Sequence, residues 1–189
     1  MNNSLTIIGA GAWGSALAIA LSHKFDKIFL LTKDKASSDA LGKQHSALSK
    51  PYNQNIFIGY SYEVISHSKA VLIATSSSAF GSVLKNIKDN VNDIPIAWVT
   101  KGFDPETANL LHETFNHYLT GHHPCVISGP TFAAEIVEEK PAAIVVASKD
   151  EKTRDYWSDI IQTETLRAYT NSDIVGVQVG GSVKNVLAI

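Results

Sequence analysis

A glycine-rich turn near the start of the chain has the residue types and spacing of a phosphate-binding loop. An apolar, strand-like run at Leu5–Ile8 is followed by Gly9, Gly11 and Gly14 in the pattern GxGxxG, and a helix-forming run begins at Ser15. This strand-turn-helix context makes the motif informative. Gly9 would permit the tight turn, Gly11 the approach of a pyrophosphate to the backbone, and Gly14 close packing of the helix against the strand.

The peptide groups of this turn predict its ligand. The backbone N–H groups of Ala12 and Trp13 would face the phosphates, and the helix dipole would add about 0.3–1 kcal/mol at the same end. We therefore predict a nicotinamide dinucleotide bound at this turn. From the motif alone, a flavin cofactor and a tight turn without a ligand remain as alternatives.

The end of the second predicted strand bears on which nicotinamide cofactor binds. An acidic residue there bonds the ribose hydroxyls of NAD, whereas a basic residue accepts the 2′-phosphate of NADP. The residues are Thr32, Lys33 and Asp34, and Asp34 lies twenty positions after Gly14. Lys33 favours NADP and Asp34 leaves NAD open, while either side chain could instead be solvated.

Short apolar and β-branched runs alternate along the chain with longer amphipathic stretches, as in parallel strands joined by crossover helices. Strands are predicted at Leu5–Ile8, Lys27–Thr32, Ile56–Ile58, Ala70–Thr75, Ile94–Thr100, Cys125–Ser128, Ala142–Ser148 and Leu166–Thr170. Helices are predicted at Ala12–Ser22, Ala36–Leu48, Ser78–Ile87, Glu106–Leu119, Phe132–Glu138 and Glu151–Ile161. The predicted fold is α/β, a doubly wound Rossmann-type domain with a mostly parallel sheet and a ligand crevice beyond the carboxyl ends of its strands.

Composition narrows the class of protein. The 189 residues are 44% hydrophobic and 18% charged with a formal net charge of -2, so the chain can bury a core and has no basic field for nucleic acid or an anionic membrane. The N-terminus has no basic leader and Ala16–Leu21 is too short to span a bilayer, which predicts a cytoplasmic protein. Cys125, the single cysteine, is predicted to be a buried thiol. The adjacent His122 and His123 lack metal-site spacing, so no metal is predicted.

Three further segments narrow the prediction: VTKGF at Val99–Phe103, ISGPTFAAE at Ile127–Glu135 and GVQVGGSVKNV at Gly176–Val186. Together with the glycine turn, they make the chain resemble the bacterial NAD(P)-dependent glycerol-3-phosphate dehydrogenases from Leu5 to Ile189. The resemblance implies hydride transfer between dihydroxyacetone phosphate and sn-glycerol 3-phosphate, at the entry to phospholipid synthesis. It also implies a small-molecule substrate, and it leaves open whether the protein is a homo-oligomer.

The resemblance also assigns roles to residues. Those at dinucleotide-contacting positions are Ala12, Trp13, Lys33 and Ala133. Those at substrate-contacting positions are Gly129 and Thr131, and Lys101 is shared by both ligands. Lys184 corresponds to the catalytic lysine that donates or accepts a proton.

Elementary chemistry is consistent with these two lysines. Lys101 follows a strand that ends at the ligand edge, while Gly180 and Gly181 precede Lys184 on one helical face and leave access to it. A basic role near neutrality requires the pKa of Lys184 to fall from about 10.4 to about 7–8, a difference of roughly 4 kcal/mol. Burial and Lys101 as a second cation could supply this difference, and Lys101 could also neutralise the substrate phosphate or polarise the carbonyl. Taken singly, each lysine could also be a solvated or snorkelling side chain.

The chain also departs from the family pattern. The family usually has a proline near the end of the strand Ala70–Thr75, where this chain reads Thr75, Ser76, Ser77 and Ser78. In addition, Ser49–Gln54 lacks the usual tyrosine-leucine-proline sequence. Before the helix that follows Gly129, Ser128 and Thr131 could cap the helix instead of, or besides, contacting a ligand.

The end of the chain predicts its domain organisation. Asp173–Ile189 begins a helix and stops in an apolar run, so we expect residues 1–172 to form the NAD(P)-binding Rossmann domain and residues 173–189 to begin an all-helical substrate domain that is missing. A natural short protein with a docked terminal helix is the alternative. Two other functions remain open: a dinucleotide-binding fragment without activity, and a related hydroxyacid or sugar dehydrogenase.

Overall fold

The computed structural model of the chain describes the backbone of residues 3–187 and the side chains of residues 3–183. The strands are β1 (Ser4–Ile8), β2 (Lys27–Leu31), β3 (Ile56–Gly59), β4 (Ala70–Ile73), β5 (Ile96–Trp98), β6 (Val126–Ser128), β7 (Ala142–Ala147) and β8 (Leu166–Asn171). The α-helices are α1 (Ala12–Leu21), α2 (Lys35–Leu41), α3 (Ser77–Ile87), α4 (Leu111–Tyr118), α5 (Ala133–Val137), α6 (Glu151–Ile161) and α7 (Ile174–Leu187).

All eight strands belong to one sheet in the order β3-β2-β1-β4-β5-β6-β7-β8. Neighbouring strands from β3 to β6 are parallel, β7 is antiparallel to β6, and β8 is parallel to β7. The order reverses on either side of β1, where the crossover connections change direction. The predicted doubly wound, mostly parallel α/β fold is confirmed, and its ligand crevice is expected where β1 and β4 end.

Strand residues alternate between two cores, one on each face of the sheet. Leu72 joins a core with α1 and α6, whereas Ile73 joins a core with α3 and α4. In the second core, the Trp98 ring is fully buried, with its centroid 5.5 Å from that of Phe80 and 5.3 Å from that of Phe115. Burial on both faces explains why the strands are continuous apolar runs.

Two predicted helices have the wrong bounds. The helix predicted at Ala36–Leu48 ends at Leu41 because Gly42 adopts a φ of 64°, which terminates the helix. The helix predicted at Glu106–Leu119 begins only at Leu111. The Asp104 carboxylate accepts hydrogen bonds from the backbone N–H groups of Glu106 and Thr107 and holds that segment in a turn.

Helix α7 packs on the face of the sheet that carries α3 and α4. Its residues Ile174, Gln178 and Ser182 are buried at successive turns, whereas Val175, Val179 and Val183 are exposed. No helix among the described residues is long and apolar enough to cross a bilayer. Cys125 is fully buried, as predicted, and burial raises the pKa of its thiol.

Candidate dinucleotide-binding site

Two of the three loop glycines are required by the fold. Gly9 has a φ of 112°, and a Cβ atom there would lie 2.5 Å from the carbonyl oxygen of Ala74, at the end of β4. A Cβ atom on Gly14 would overlap the carbonyl oxygen of Gly9. Gly9 and Gly14 therefore bring β1, the turn and α1 into close contact, as their spacing predicts.

Gly11 differs because, in the part of the chain that the structure describes, nothing packs within 4 Å of the position that its Cβ would take. It is the N-cap residue of α1, with a φ of -70° that any residue can adopt. The first backbone hydrogen bond of α1 runs from Ser15 N–H to the Gly11 carbonyl oxygen at 2.9 Å. The N–H groups of Ala12, Trp13 and Gly14 therefore precede the helical ladder. The space above Gly11 and these donors fit a pyrophosphate.

A cavity of about 610 Å³ opens beside this turn at the carboxyl ends of β1, β2 and β4. Of the predicted cofactor residues, Gly9, Gly11 and Lys33 line it. Its other lining residues are Ile8, Ala10, Leu31, Thr32, Ser37, Leu41, Tyr62, Ala74, Thr75, Ser76, Ala79, Ser82, Val83 and Asn86. The lining thus combines apolar side chains with polar groups that could orient a ligand, and the position of the cavity agrees with the reversal in strand order.

The two charged residues after β2 have different environments. The Asp34 carboxylate is the N-cap of α2 and accepts a hydrogen bond from Ser37 N–H at 2.7 Å, which holds the pKa of Asp34 below its usual range. Lys33 lines the cavity and keeps 83% of its side chain exposed, with its ammonium nitrogen 3.8 Å from an Asp34 oxygen. Oδ1 of Asp34 thus caps a helix, and the exposed ammonium group of Lys33 can reach an anion in the cavity.

Several lining residues were missed by sequence reasoning. Tyr62 lies in a short 3-10 turn, where no apolar periodicity marks it, and burial raises the pKa of its hydroxyl despite a hydrogen bond with Asn86. Thr75 lies two residues beyond β4, and its hydroxyl is buried without a hydrogen-bond partner among the described residues. Its place at the carboxyl end of a central strand is the signal that could have identified it.

A second cluster of predicted site residues forms where β5 and β6 end. The Lys101 ammonium group is 3.4 Å from the carbonyl oxygen of Gly129. A Cβ atom on Gly129 would lie 2.7 Å from the Ala143 carbonyl oxygen, so close approach of β7 requires a glycine there. Thr131 is buried, and its hydroxyl has no hydrogen-bond partner within the part of the chain that is described. The N-cap of α5 is Phe132 and no described side chain caps it, so of the two roles left open for Ser128 and Thr131, capping this helix is not the one observed.

Helix α7 joins this cluster through its last described turns. A Cβ atom on Gly181 would lie 2.5 Å from the Ser128 hydroxyl oxygen, and Gly102 N–H donates to the Ser182 hydroxyl at 3.1 Å. Lys184 lies three residues beyond Gly181 in α7, and its side chain is outside the described residues.

The cavity beside the glycine turn and the cluster at the ends of β5 and β6 are neighbours, although not every predicted site residue lines the cavity. A Cβ atom on Gly102 would lie 3.2 Å from the hydroxyl oxygen of Ser77, the residue after cavity-lining Ser76. Trp13 and Ala133 instead pack against the core beside α1 and α5. Predicted site residues outside the cavity lining are Ala12, Trp13, Gly14, Lys101, Gly129, Thr131 and Ala133.

Comparisons with known proteins agree with this geometry. Residues 4–154 match the family described as "NAD-dependent glycerol-3-phosphate dehydrogenase N-terminus". The chain is 52% identical over 190 residues to a glycerol-3-phosphate dehydrogenase [NAD(P)+] of Vesicomyosocius okutanii and 48% identical to that of Ruthia magnifica, with 100% of this chain and 58% of each relative covered. The crystal structure of glycerol-3-phosphate dehydrogenase from Coxiella burnetii is 30% identical with a TM-score of 0.91, covering 99% of this chain and 59% of that one. The chain thus spans less than two thirds of the length of these relatives.

Proposed function

This chain belongs to the NAD-dependent glycerol-3-phosphate dehydrogenase family, and from that premise we propose that the whole protein interconverts dihydroxyacetone phosphate and sn-glycerol 3-phosphate with NADP or NAD. The observation that carries the proposal is the cavity beside Gly11, whose lack of a side chain leaves open space over the first amides of α1. The phosphates of an anionic cofactor could occupy that space and accept hydrogen bonds from these amides. Because sn-glycerol 3-phosphate is a precursor of phospholipids, we propose that the enzyme serves phospholipid synthesis.

The proposed cofactor site comprises the loop from Gly9 to Gly14 and the residues that line the adjoining cavity. Backbone N–H groups of Ala12 and Trp13 would donate to the pyrophosphate. Lys33 supports a preference for NADP, because it lines the cavity with an exposed ammonium group while Asp34 caps α2. A charge-assisted hydrogen bond to a 2′-phosphate suits such a lysine. The resemblance alone supports cofactor contacts from Ala133.

The proposed substrate site lies around Lys101, Gly129 and Thr131. When bound, the nicotinamide ring supplies or accepts the hydride at the substrate carbon. Lys101 would attract the substrate phosphate or polarise the carbonyl, and the Thr131 hydroxyl would donate or accept a hydrogen bond. Lys184 would give or take the hydroxyl proton, a role that rests on the family resemblance and on its place three residues beyond Gly181 in α7.

We further propose that residues 1–172 form the cofactor domain and that residues 173–189 begin a helical substrate domain. The exposed stripe of Val175, Val179 and Val183 supports this boundary, because a helical partner would bury it. We propose that the protein works in the cytoplasm, where nicotinamide cofactors and triose phosphates meet.

The reaction can be tested by mixing the protein at its full natural length with NADPH and dihydroxyacetone phosphate and following NADPH absorbance. We expect NADPH consumption that depends on both reactants, and formation of sn-glycerol 3-phosphate. Turnover of a different hydroxyacid or sugar, with none of dihydroxyacetone phosphate, would refute the proposed substrate. A protein that binds NADPH and turns over no carbonyl compound would instead be a binding module.

A further inference from the structure

A buried glutamine connects helix α7 to the segment that follows Lys101. Gln178 is only 5% exposed, and its Oε1 atom accepts a hydrogen bond from the His112 backbone N–H at 3.1 Å. Its Nε2 atom lies 3.0 Å from His112 Nδ1 and donates to the Ile174 carbonyl oxygen at 3.1 Å. Since a backbone N–H can only donate, Oε1 must face it and the amide NH₂ group must face Nδ1.

These contacts complete the start of α4. His112 is the second residue of that helix, and its N–H group has no acceptor within its own helix. The N-cap residue Leu110 has no side-chain cap, so Gln178 from another helix takes that place. His112 Nδ1 must accept, so the ring is neutral with its proton on Nε2, a form that burial favours by lowering the pKa of His112.

One helical turn beyond Gln178, a second contact reaches the residue next to Lys101. The Ser182 hydroxyl donates to the Gln178 carbonyl oxygen at 2.8 Å and accepts from Gly102 N–H at 3.1 Å. Gly102 has a φ of 109°, a backbone conformation that glycine adopts readily and other residues rarely do. The two ends of the segment 102–112 are thus both tied to α7, four residues apart on that helix.

We propose that Gln178, with His112 as its partner, is a positioning residue that sets the location of α7, and hence of Lys184, relative to Lys101. This inference rests on the proposed function, in which both lysines act on one substrate. The bonds fix α7 against rotation and sliding, because Gln178 uses both ends of its amide and Gly181 is already in contact with Ser128. Displacing a reactive group by about 1 Å can reduce turnover by about 100-fold.

Because the cavity proposed to bind the cofactor lies away from Gln178, an effect on the position of α7 can be distinguished from a general effect on folding. Among the residues whose side chains the structure describes, none that lines the cavity comes from α4 or α7. Loss of the Gln178 contacts should therefore reduce kcat and leave NADPH affinity intact. A merely structural role would reduce both together with the folded fraction.

The test compares variants of the protein at its full natural length. Gln178→Met keeps the size of the side chain and removes its hydrogen bonds. His112→Asn retains an acceptor where Nδ1 lies, whereas His112→Leu removes it. His117→Leu makes the same change at an exposed position of α4 and serves as the control. For each variant, kcat, the KM for dihydroxyacetone phosphate and the Kd for NADPH are measured, with amide hydrogen exchange of residues 102–112.

We expect Gln178→Met and His112→Leu to lower kcat by about 10- to 100-fold, with NADPH Kd within about twofold and faster exchange at Gly102. His112→Asn should stay within about threefold of wild-type kcat, and His117→Leu should match wild type. Wild-type kcat in Gln178→Met, or equal losses in His112→Asn and His112→Leu, would overturn the proposal.

A replacement variant and a second measurement cover the cases in which Gln178→Met does not fold or the wild-type protein is inactive. If Gln178→Met does not fold, Ser182→Ala is used, and we expect about a three- to tenfold loss of kcat from the single missing bond; wild-type kcat there would also overturn the proposal. If the wild-type protein does not reduce dihydroxyacetone phosphate, the proposed function fails. Hydrogen exchange at Gly102 still decides the positioning, because unchanged exchange in the variants contradicts it whatever the activity.

Discussion

The phosphate loop and helix α7 both place glycines beside a ligand edge, and the reasons for the glycines differ. Gly9 is required by its close contact with the backbone of Ala74, whereas Gly181 faces the Ser128 hydroxyl, which rotation of that side chain could move aside. Apart from its neighbours along the chain, no described residue comes within 4 Å of the position that a Cβ atom on Gly11 would take. A glycine that the packing does not require is the better indicator of a ligand, because a stabilising side chain could otherwise occupy that place.

The two regions also differ in how they are assembled. The phosphate loop is one continuous segment whose geometry comes from a strand, a turn and a helix in succession. The α7 region joins residues far apart in the chain, with Gln178 and His112 separated by 66 positions. In the loop, we therefore expect some substitutions to lower the stability of the fold and others to weaken cofactor binding. Substitutions at α7 should instead lower turnover by displacing Lys184 relative to Lys101.

The largest effect on stability is expected for Gly9→Ala. The φ of 112° and the 2.5 Å approach to the Ala74 carbonyl oxygen leave no room for a methyl group. We expect a loss of about 2–4 kcal/mol in the free energy of unfolding, measured by urea denaturation of this chain. Gly42→Ala is the control, since Gly42 also has a positive φ, of 64°, and open space around it; an equal loss there would show that strain alone, and not packing against β4, is responsible.

Gly11→Asp, in contrast, should weaken cofactor binding and leave the stability of the fold nearly unchanged. Aspartate is a favourable N-cap residue, so the free energy of unfolding should stay within about 1 kcal/mol of wild type. Its carboxylate would occupy the space meant for a pyrophosphate and repel it, so NADPH Kd should rise by about 100-fold or more. Titration calorimetry measures the Kd, and Gly11→Ser separates the effect of size from that of charge. Unchanged NADPH affinity in Gly11→Asp would contradict this location of the phosphates.

Lys33→Ala should have a smaller and selective effect. If Lys33 binds the 2′-phosphate, NADPH Kd should rise about five- to tenfold while NADH Kd changes by less than twofold. Lys35→Ala is the matched control, since Lys35 is paired with Asp39 at 2.6 Å on the adjacent helix. Equal weakening of NADPH and NADH binding would show that Lys33 does not read the 2′-phosphate.

The smallest effect concerns pH and the α7 region. The folded protein lowers the pKa of His112 from 6.5, chiefly through burial, with smaller opposing effects of Glu113, which raises it, and Lys149, which lowers it. The neutral ring is therefore favoured by folding, and its contribution to stability is complete above pH 6.5 and is lost as the pH falls through the folded pKa. We expect the Tm of wild type to fall more steeply on acidification below that pH than the Tm of His112→Asn. Parallel Tm curves would show that His112 is not coupled to folding.

Sequence patterns predicted much of this molecule where the determinants are local. The phosphate loop and the strand alternation were predicted because glycine spacing and apolar runs act over a few neighbouring residues. The choice between Lys33 and Asp34 stayed open, although an aspartate just before a predicted helix is a typical N-cap residue and could have narrowed the choice.

Other features depend on tertiary contacts that leave little trace in sequence. The reversed direction of β7 and β8 cannot be read from apolar runs, which look alike in either direction. The late start of α4 depends on the Asp104 turn, and the place of Gln178 depends on how α7 packs on the sheet. Tyr62 reaches the cavity from a short turn with no periodic pattern.

Binding of the dinucleotide at the phosphate loop can be tested by titrating the ¹⁵N-labelled chain with NADPH and following the backbone amide chemical shifts. We expect saturable shifts at Gly11, Ala12 and Trp13, with smaller changes at Gly181 and Ser182 on α7. Saturation without shifts at the loop, or shifts centred on α7, would show that the phosphate loop does not hold the dinucleotide.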